Sequence, residues 1–315
     1  MKKELSTIHP ELQAVARKMP VITYGRKNLW LINWAMRLRP SPKPPPDVLI
    51  ENVFIPAQTD RARTRLRIYR PRSSSAPTPA LIWLHGGGYV MGNPEQDEEC
   101  CAQYGREMGI TVVSVDYRYA PKYPFPIGLE DSYAALTWVA AQAHSLGIDA
   151  QRIAIGGASA GGGLAAALAQ LAHDRQAIQP VFQLLVYPML DDRTALRPEL
   201  AGQTYLAWDP QSNRFGWESY LGRPCGTTAV PDYAVPARRA DLSGLPPAWL
   251  GVGTEDLFHN EDVAYAQRLK ACAVPCEIEI VPGAFHGFDV FDAKIPLVRA
   301  FRRSQIAALR KYLFP

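Results

Sequence analysis

Ile153-Ala154-Ile155-Gly156-Gly157-Ala158-Ser159-Ala160-Gly161-Gly162-Gly163-Leu164 is the stretch on which the fold turns. A short β-branched run enters it and an Ala/Leu-rich run from Leu164 to Ala172 leaves it, which predicts strand, sharp turn and helix in immediate succession. At the turn stands Gly-x-Ser-x-Gly, with Gly157, Ser159 and Gly161. A serine held in so tight a turn takes a strained backbone conformation, and glycines on both flanks let strand and helix approach without collision. The hydroxyl is thereby lifted clear of the sheet. The amide of Ala160 opens the helix with no partner inside it and a positive partial charge. Nucleophile and one oxyanion donor thus come from a single turn. The same pattern also suits a glycine-rich turn carrying a solvated serine, so its weight depends on the rest of the chain.

His85-Gly86-Gly87-Gly88 follows directly on the apolar run Ala80–Leu84. Three glycines bring bare backbone up to a ligand and point amide hydrogens at it, as a developing oxyanion requires. His85 belongs to that loop and is expected to fix it. A nucleophilic serine also needs a base, and the base an acid that sets its tautomer. Of six histidines, His9 lies in the terminal segment, His144 and His173 at helix ends, and His259 is expected in a solvated loop. His286, in Gly283-Ala284-Phe285-His286-Gly287-Phe288, sits in a turn after the last strand and is the candidate base. Asp256 follows the strand ending at Gly253 and is the candidate acid, with neighbouring Glu255 as the alternative. Asp289 and Asp292 follow His286 too closely and are expected to be exposed. The order Ser159, Asp256, His286 is the nucleophile–acid–base order of α/β-hydrolases.

Taken in order, residues 9–39 read as helical with a break at Met19-Pro20 and a second helix from Tyr24. That helix, with Leu29, Trp30, Ile32, Trp34, Met36 and Leu38, is apolar nearly all round and needs a partner surface. A lid over a pocket is favoured over an interfacial membrane anchor. Pro40-Ser41-Pro42-Lys43-Pro44-Pro45-Pro46 predicts a stiff linker, and Ser73-Ser74-Ser75-Ala76-Pro77 a surface loop. Strands are expected at 48–55 and 64–70 as an antiparallel pair, then at 80–84, 111–117, 152–156, 181–187, 248–253 and 276–281. Helices at 95–108, 129–143, 261–271 and from 296 interleave with them. Residues 191–225 break this rhythm. Eight strands so arranged predict a mostly parallel, doubly wound sheet with its site at the carboxyl ends of the strands.

Composition limits the alternatives. The 315 residues are 47% apolar and 20% charged, as in an ordinary globular protein, and the net charge of +4 implies no nucleic-acid partner. Arg61, Arg63, Arg65 and Arg67 alternate along a strand and read as a charged, solvated edge. Five cysteines, without companion residues for a zinc site, suggest reduced thiols and a cytoplasmic location. The Met1-Lys2-Lys3-Glu4 start lacks the apolar stretch of a signal peptide, and stable membrane insertion is not expected. No internal repeat is evident.

Four blocks together resemble the hormone-sensitive-lipase-like branch of the α/β-hydrolase esterases. They are His85–Tyr89, Asp116–Pro121 with Pro124-Phe125-Pro126, Gly157–Gly162 and Gly283–Phe288. The resemblance, from about residue 48 to the end, implies a carboxylic ester hydrolase with no cofactor and no metal. It assigns the oxyanion amides to Gly87, Gly88 and Ala160, with His85 and Gly86 orienting their loop. It divides the chain into residues 1–45 and 191–225 as a helical cap, and 46–190 with 226–315 as the catalytic core. A homodimer is plausible by the same analogy. One departure is Ala158, where the family often has Asp or Thr before the nucleophile; hydrogen bonds made there must be absent or replaced. After Asp256 stand Leu257 and Phe258, where proline and leucine are usual. Trp30, Trp34, Tyr89, Tyr187, Tyr205, Leu206, Trp208, Phe215 and Trp217 are candidates to wall an apolar pocket, or to pack the cap onto the core. Short- to medium-chain esters are the expected substrates. Amide or carbamate hydrolysis by the same triad is the alternative. A ligand receptor on the same fold is a further one, although such receptors lose the histidine that this chain keeps.

Overall fold

The computed structural model describes residues 5–38, 45–57, 59–72, 77–200, 203 and 205–315, with only the backbone of Arg37. Most of the expected proline linker and of the serine loop at 73–76 lies outside the described residues. The elements in order are α1 (Gln13–Lys18), α2 (Leu29–Leu38), β1 (Val48–Pro56), β2 (Arg63–Pro71), β3 (Thr78–Leu84), α3 (Glu98–Met108), β4 (Thr111–Asp116), α4 (Ile127–Ala141) and α5 (Ala143–Leu146). There follow β5 (Ile148–Ala158), α6 (Ala160–Arg175), β6 (Gln183–Val186), α7 (Pro210–Leu221), β7 (Ala248–Glu255), α8 (His259–Ala271), β8 (Cys276–Phe285) and α9 (Pro296–Leu313).

The strands form one eight-stranded sheet in the order β1-β2-β4-β3-β5-β6-β7-β8. Only the β1–β2 and β2–β4 pairs are antiparallel. Every residue of β3 is buried, which is why Ala80–Leu84 reads as an unbroken apolar run: helices cover both faces of a parallel strand. Strand order also sets the site. β3 and β5 are neighbours with Leu84 opposite Gly157, so the glycine loop after β3 lies against the turn after β5. β7 and β8 present their carboxyl ends on the same side of the sheet.

Three expectations are corrected. β2 is not an edge strand; it lies between β1 and β4 under α3. Arg65 bonds Asp116 (2.9 Å) and Glu95, and buried Arg67 bonds Glu98 (2.9 Å), so these arginines are paired within the fold rather than solvated. The second N-terminal helix begins at Leu29, not Tyr24, because Tyr24 donates its amide to Ser212 Oγ and Thr23 bonds Asp209. Tertiary hydrogen bonds there displace the helical ones. His259 is the first residue of α8 and half-buried, not a loop residue.

The five cysteines are unpaired. Among the described residues, no helix is long and apolar enough to cross a membrane.

Where the chain leaves the sheet after β6, it is pinned by Glu261 of α8, whose Oε1 accepts from the amides of Leu190 (2.6 Å) and Asp191 (3.1 Å). Burial pushes this carboxyl up to about 8 from its usual 4.5. The fold therefore holds the proton more tightly than the unfolded chain does. That contribution to stability is complete below pH 4.5 and is lost as the pH rises through 8. Glu261→Gln keeps the acceptor oxygen and removes the titration. Its thermal midpoint is expected to match the parent near pH 4.5 and to exceed it by roughly 2–4 °C at pH 8.5. Parallel melting curves at every pH would contradict this.

Candidate active site

Ser159 sits between β5 and α6 with φ 57° and ψ −122°, the strained backbone that the Gly-x-Ser-x-Gly pattern predicts. The need for glycine is concrete at Gly161, where a Cβ would lie 2.0 Å from the carbonyl oxygen of Leu84. His286 follows β8, and Asp256 follows β7. The three side chains form one hydrogen-bonded chain. Ser159 Oγ lies 2.9 Å from His286 Nε2, and His286 Nδ1 lies 2.9 Å from Asp256 Oδ2. All three are buried, with Ser159 and His286 each 7% exposed. Asp256 Oδ1 accepts from the amide of Phe258 (2.9 Å), which leaves Oδ2 aimed at the imidazole. Glu255, the alternative acid, instead accepts from Thr7 Oγ1 (2.8 Å).

Two rings hold the imidazole. Tyr187 meets it edge-on at 4.9 Å and Phe258 at 5.1 Å with planes at 90°. Tyr187, at φ 35°, donates its hydroxyl to Asp289 Oδ1 at 2.6 Å. Asp289 is thus buried rather than exposed as expected. It lies in a short helical turn just after His286, which carries it back under the site where sequence proximity alone suggested a solvent-facing loop. Asp292 is exposed. Tyr187, Asp289, Asp97 and Arg302 share with Ala158 a cavity of about 50 Å³ behind the serine turn. In place of hydrogen bonds from the side chain at 158, the polar groups here are tied elsewhere: Asp97 accepts from Trp83 Nε1 (2.8 Å), and Arg302 donates to the Asp289 carbonyl (2.9 Å). Burial pushes the Asp97 carboxyl up to about 7. Nothing in the spacing of Asp97, Asp289 and Arg302 along the chain signals this group.

The loop after β3 is braced from behind. His85 is fully buried, and burial holds its imidazole below the usual histidine value. Neutral, it donates from Nδ1 to the Gly86 carbonyl at 2.8 Å and stacks on Tyr117 at 4.2 Å. Tyr117 donates to the His85 carbonyl at 2.6 Å. The next residue, Arg118, forms a two-pronged bond to buried Asp131 (2.9 and 2.8 Å). The Asp116–Pro121 block is therefore structural support for the glycine loop. A Cβ on Gly86 would lie 3.1 Å from the Ala158 carbonyl, so that glycine sets how closely loop and serine turn approach. The amides of Gly87, Gly88 and Ala160 have no intramolecular acceptor among the described residues. They are available to an incoming oxygen.

The aromatic candidates divide. Trp208 closes on the glycine loop, its ring so near that a Cβ on Gly88 would lie 2.0 Å from it. Tyr24 stacks on Trp208 at 5.4 Å, a contact with no signal in the sequence. Leu206 is buried nearby in sequence, and Tyr205 and Phe215 are half-buried. Tyr89 is instead packed away, stacked on Tyr220 (4.2 Å), against Trp217, with its hydroxyl on the Met189 carbonyl (2.9 Å). Trp30 and Trp34 do not wall a pocket: they are 69% and 57% exposed, because α2 packs through Leu29 and the flank bearing Ile32, Asn33 and Met36.

A family model described as alpha/beta hydrolase fold matches residues 81–290. The chain belongs to this family, in its hormone-sensitive-lipase-like branch. Among the curated α/β hydrolases it is 36% identical over 250 residues to Carboxylesterase NlhH of Mycobacterium tuberculosis, covering 79% of this chain and 78% of that one. It is 35% identical to an Ethyl acetate hydrolase of Pseudomonas putida over 228 residues, covering 71% and 70%. Among solved structures it superposes on a bacterial heroin esterase with TM-score 0.89 and 33% identity over 99% of both chains. The residues matched by the family model contain the glycine loop, Ser159, Asp256 and His286.

Proposed function

We propose that this α/β hydrolase cleaves short- to medium-chain carboxylic esters through a covalent acyl-enzyme on Ser159. The chain is a carboxylesterase of the serine-hydrolase type. The observation that carries the reading is the unbroken Ser159–His286–Asp256 hydrogen-bond chain, with each link at 2.9 Å, beside three amides that lack acceptors among the described residues. Ser159 Oγ attacks the ester carbonyl carbon while His286 Nε2 accepts its proton, and the Asp256 carboxylate stabilises the imidazolium. The carbonyl oxygen, now anionic, receives hydrogen bonds from Gly87, Gly88 and Ala160, each worth ~2.7–4 kcal/mol by analogy with single-donor deletions. Collapse of the intermediate expels the alcohol, which takes the proton from Nε2. Water then gives its proton to Nε2 and attacks the acyl carbon, and the carboxylic acid leaves as Ser159 is restored.

Residues 1–45 and 191–225 act as the cap in this reading, with Trp208 of the second segment set against Gly88 of the glycine loop. That close approach supports short acyl groups, as does similarity to a relative named for ethyl acetate. A cytoplasmic location agrees with five unpaired thiols. A homodimer through β8, the last strand of the sheet, agrees with its exposed Ile280. The test is a panel of p-nitrophenyl esters from acetyl to palmitoyl, run beside the matching anilides. Highest kcat/KM at acetyl to hexanoyl esters is expected, with anilides slower by roughly 10³-fold or more. A palmitoyl optimum would overturn the acyl-length proposal, and faster anilides would establish the amidase alternative.

A further inference from the structure

The outward face of α2 is apolar and meets no partner among the described residues. Trp30, Leu31, Trp34 and Leu38 are exposed on it, and Val21 and Ile22 of the preceding segment are exposed as well. Two indoles more than half exposed on one helix of ten residues are unusual on a globular surface and mark a contact region. The segment that carries them holds basic residues and no acidic ones. From Gln13 to Pro46 the sequence holds Arg17, Lys18, Arg26, Lys27, Arg37, Arg39 and Lys43, with no aspartate or glutamate. Since the whole chain carries only +4, the remainder is net acidic. Arg17, Lys18, Arg26 and Lys27 are exposed. One carboxylate from elsewhere is bonded to this region, Asp209, which accepts from Thr23 and from the Ser212 amide and offsets one of the seven positive charges.

We propose that this face docks on an anionic lipid bilayer. Indole rings partition to the boundary between headgroups and acyl chains, and lysine and arginine pair with lipid phosphates. A helix of ten residues is about 15 Å long, too short to cross a bilayer, so it lies along the surface with its apolar side down. A second copy of the chain is the poorer occupant, because facing α2 with α2 would oppose two uniformly cationic segments. The surface is also continuous with the site. Asn33 donates to the Val90 carbonyl (3.3 Å), and Tyr24 stacks on the Trp208 that closes on Gly88. Adsorption through α2 would hold the entrance of the site where apolar esters concentrate. The docking itself requires no catalysis, so its test and that of the esterase reading succeed or fail separately.

The test is co-sedimentation of the full chain, without substrate, with vesicles of phosphatidylcholine alone or mixed about 3:1 with phosphatidylglycerol, while tryptophan emission is recorded. Binding to the mixed vesicles with a blue shift is expected, weakening roughly tenfold or more towards 1 M salt as the lipid charge is screened. The double variant Trp30→Ser, Trp34→Ser is expected to lose roughly tenfold or more of the bound fraction-to-free ratio, with an unchanged circular dichroism spectrum. Arg26→Gln with Lys27→Gln, which leaves the apolar face intact, is expected to reduce the preference for the anionic vesicles. Failure of the parent chain to bind either vesicle would overturn the proposal. So would equal binding by parent and both variants. A dimer in solution that the tryptophan double variant dissociates would assign the face to a second copy instead, and duplex DNA binding lost in the Arg26/Lys27 variant, without vesicle binding, would assign it to nucleic acid.

Discussion

Ser159→Ala is expected to lower kcat/KM for p-nitrophenyl acetate by about 10⁴-fold or more. The hydroxyl oxygen is the only atom at the turn that can form the acyl bond, and the variant leaves water as the sole attacking group. What remains is the contribution of the three amides and of binding, which accelerates even that reaction above its rate in solution. The fold is expected to survive. Alanine can occupy the same strained backbone as serine, while the flanking glycines that permit the turn stay in place. The change removes one hydrogen bond, from Oγ to His286 Nε2. An unchanged circular dichroism spectrum with activity lost is the predicted pair of results. Activity within tenfold of the parent would remove Ser159 from the role of nucleophile.

Asp256→Asn is expected to cost about 10³–10⁴ in kcat, through the tautomer of His286 and not through the fold. The carboxylate accepts a hydrogen bond from Nδ1–H, which keeps the proton on Nδ1 and leaves the lone pair on Nε2, facing Ser159. An asparagine oxygen is drawn to the Phe258 amide, which already bonds Oδ1. Its NH₂ group then faces Nδ1, the imidazole carries its proton on Nε2, and Nε2 cannot take the serine proton. The parallel variant Glu255→Gln separates the two adjacent acids, since Glu255 bonds Thr7 and not the imidazole. Its kcat is expected to stay within about threefold of the parent. A large loss in Glu255→Gln with none in Asp256→Asn would reverse the assignment. Kinetics on p-nitrophenyl acetate at a fixed neutral pH suffice for both.

The parts of the fold that were readable share a cause. β3 and the Ile153–Gly157 part of β5 are buried, so their apolar character does not depend on distant partners, and the glycine loop and serine turn each declare themselves within five residues. The mostly parallel, doubly wound class of the sheet then follows from the alternation of strands and helices, whereas the placing of β4 between β2 and β3 does not. Features that depend on unions across the sequence were less legible. Arg65 and Arg67 alternate as a solvated strand would, yet their partners arrive some thirty residues later, Glu95 in the short helical turn before α3 and Glu98 at the start of α3, the helix that covers β2. Asp289 looked too near His286 to matter, but the short helical turn after the histidine folds it under the imidazole, where Tyr187 finds it from 102 residues away. Trp30 and Trp34 illustrate the opposite failing. A helix apolar on all sides does not say which side packs, and here the fold is met by Leu29 and the flank of Ile32, Asn33 and Met36. Ala158 signalled that something behind the serine had changed without signalling what took its place.

The central claim, that one activated serine carries the reaction, is tested most directly by treating the protein with a fluorophosphonate and locating the adduct by peptide mass spectrometry. A single phosphonylated residue, Ser159, formed in step with loss of esterase activity and absent from Ser159→Ala, is the predicted result. Full inactivation with the label on another residue, or an active protein that takes up no label, would contradict it.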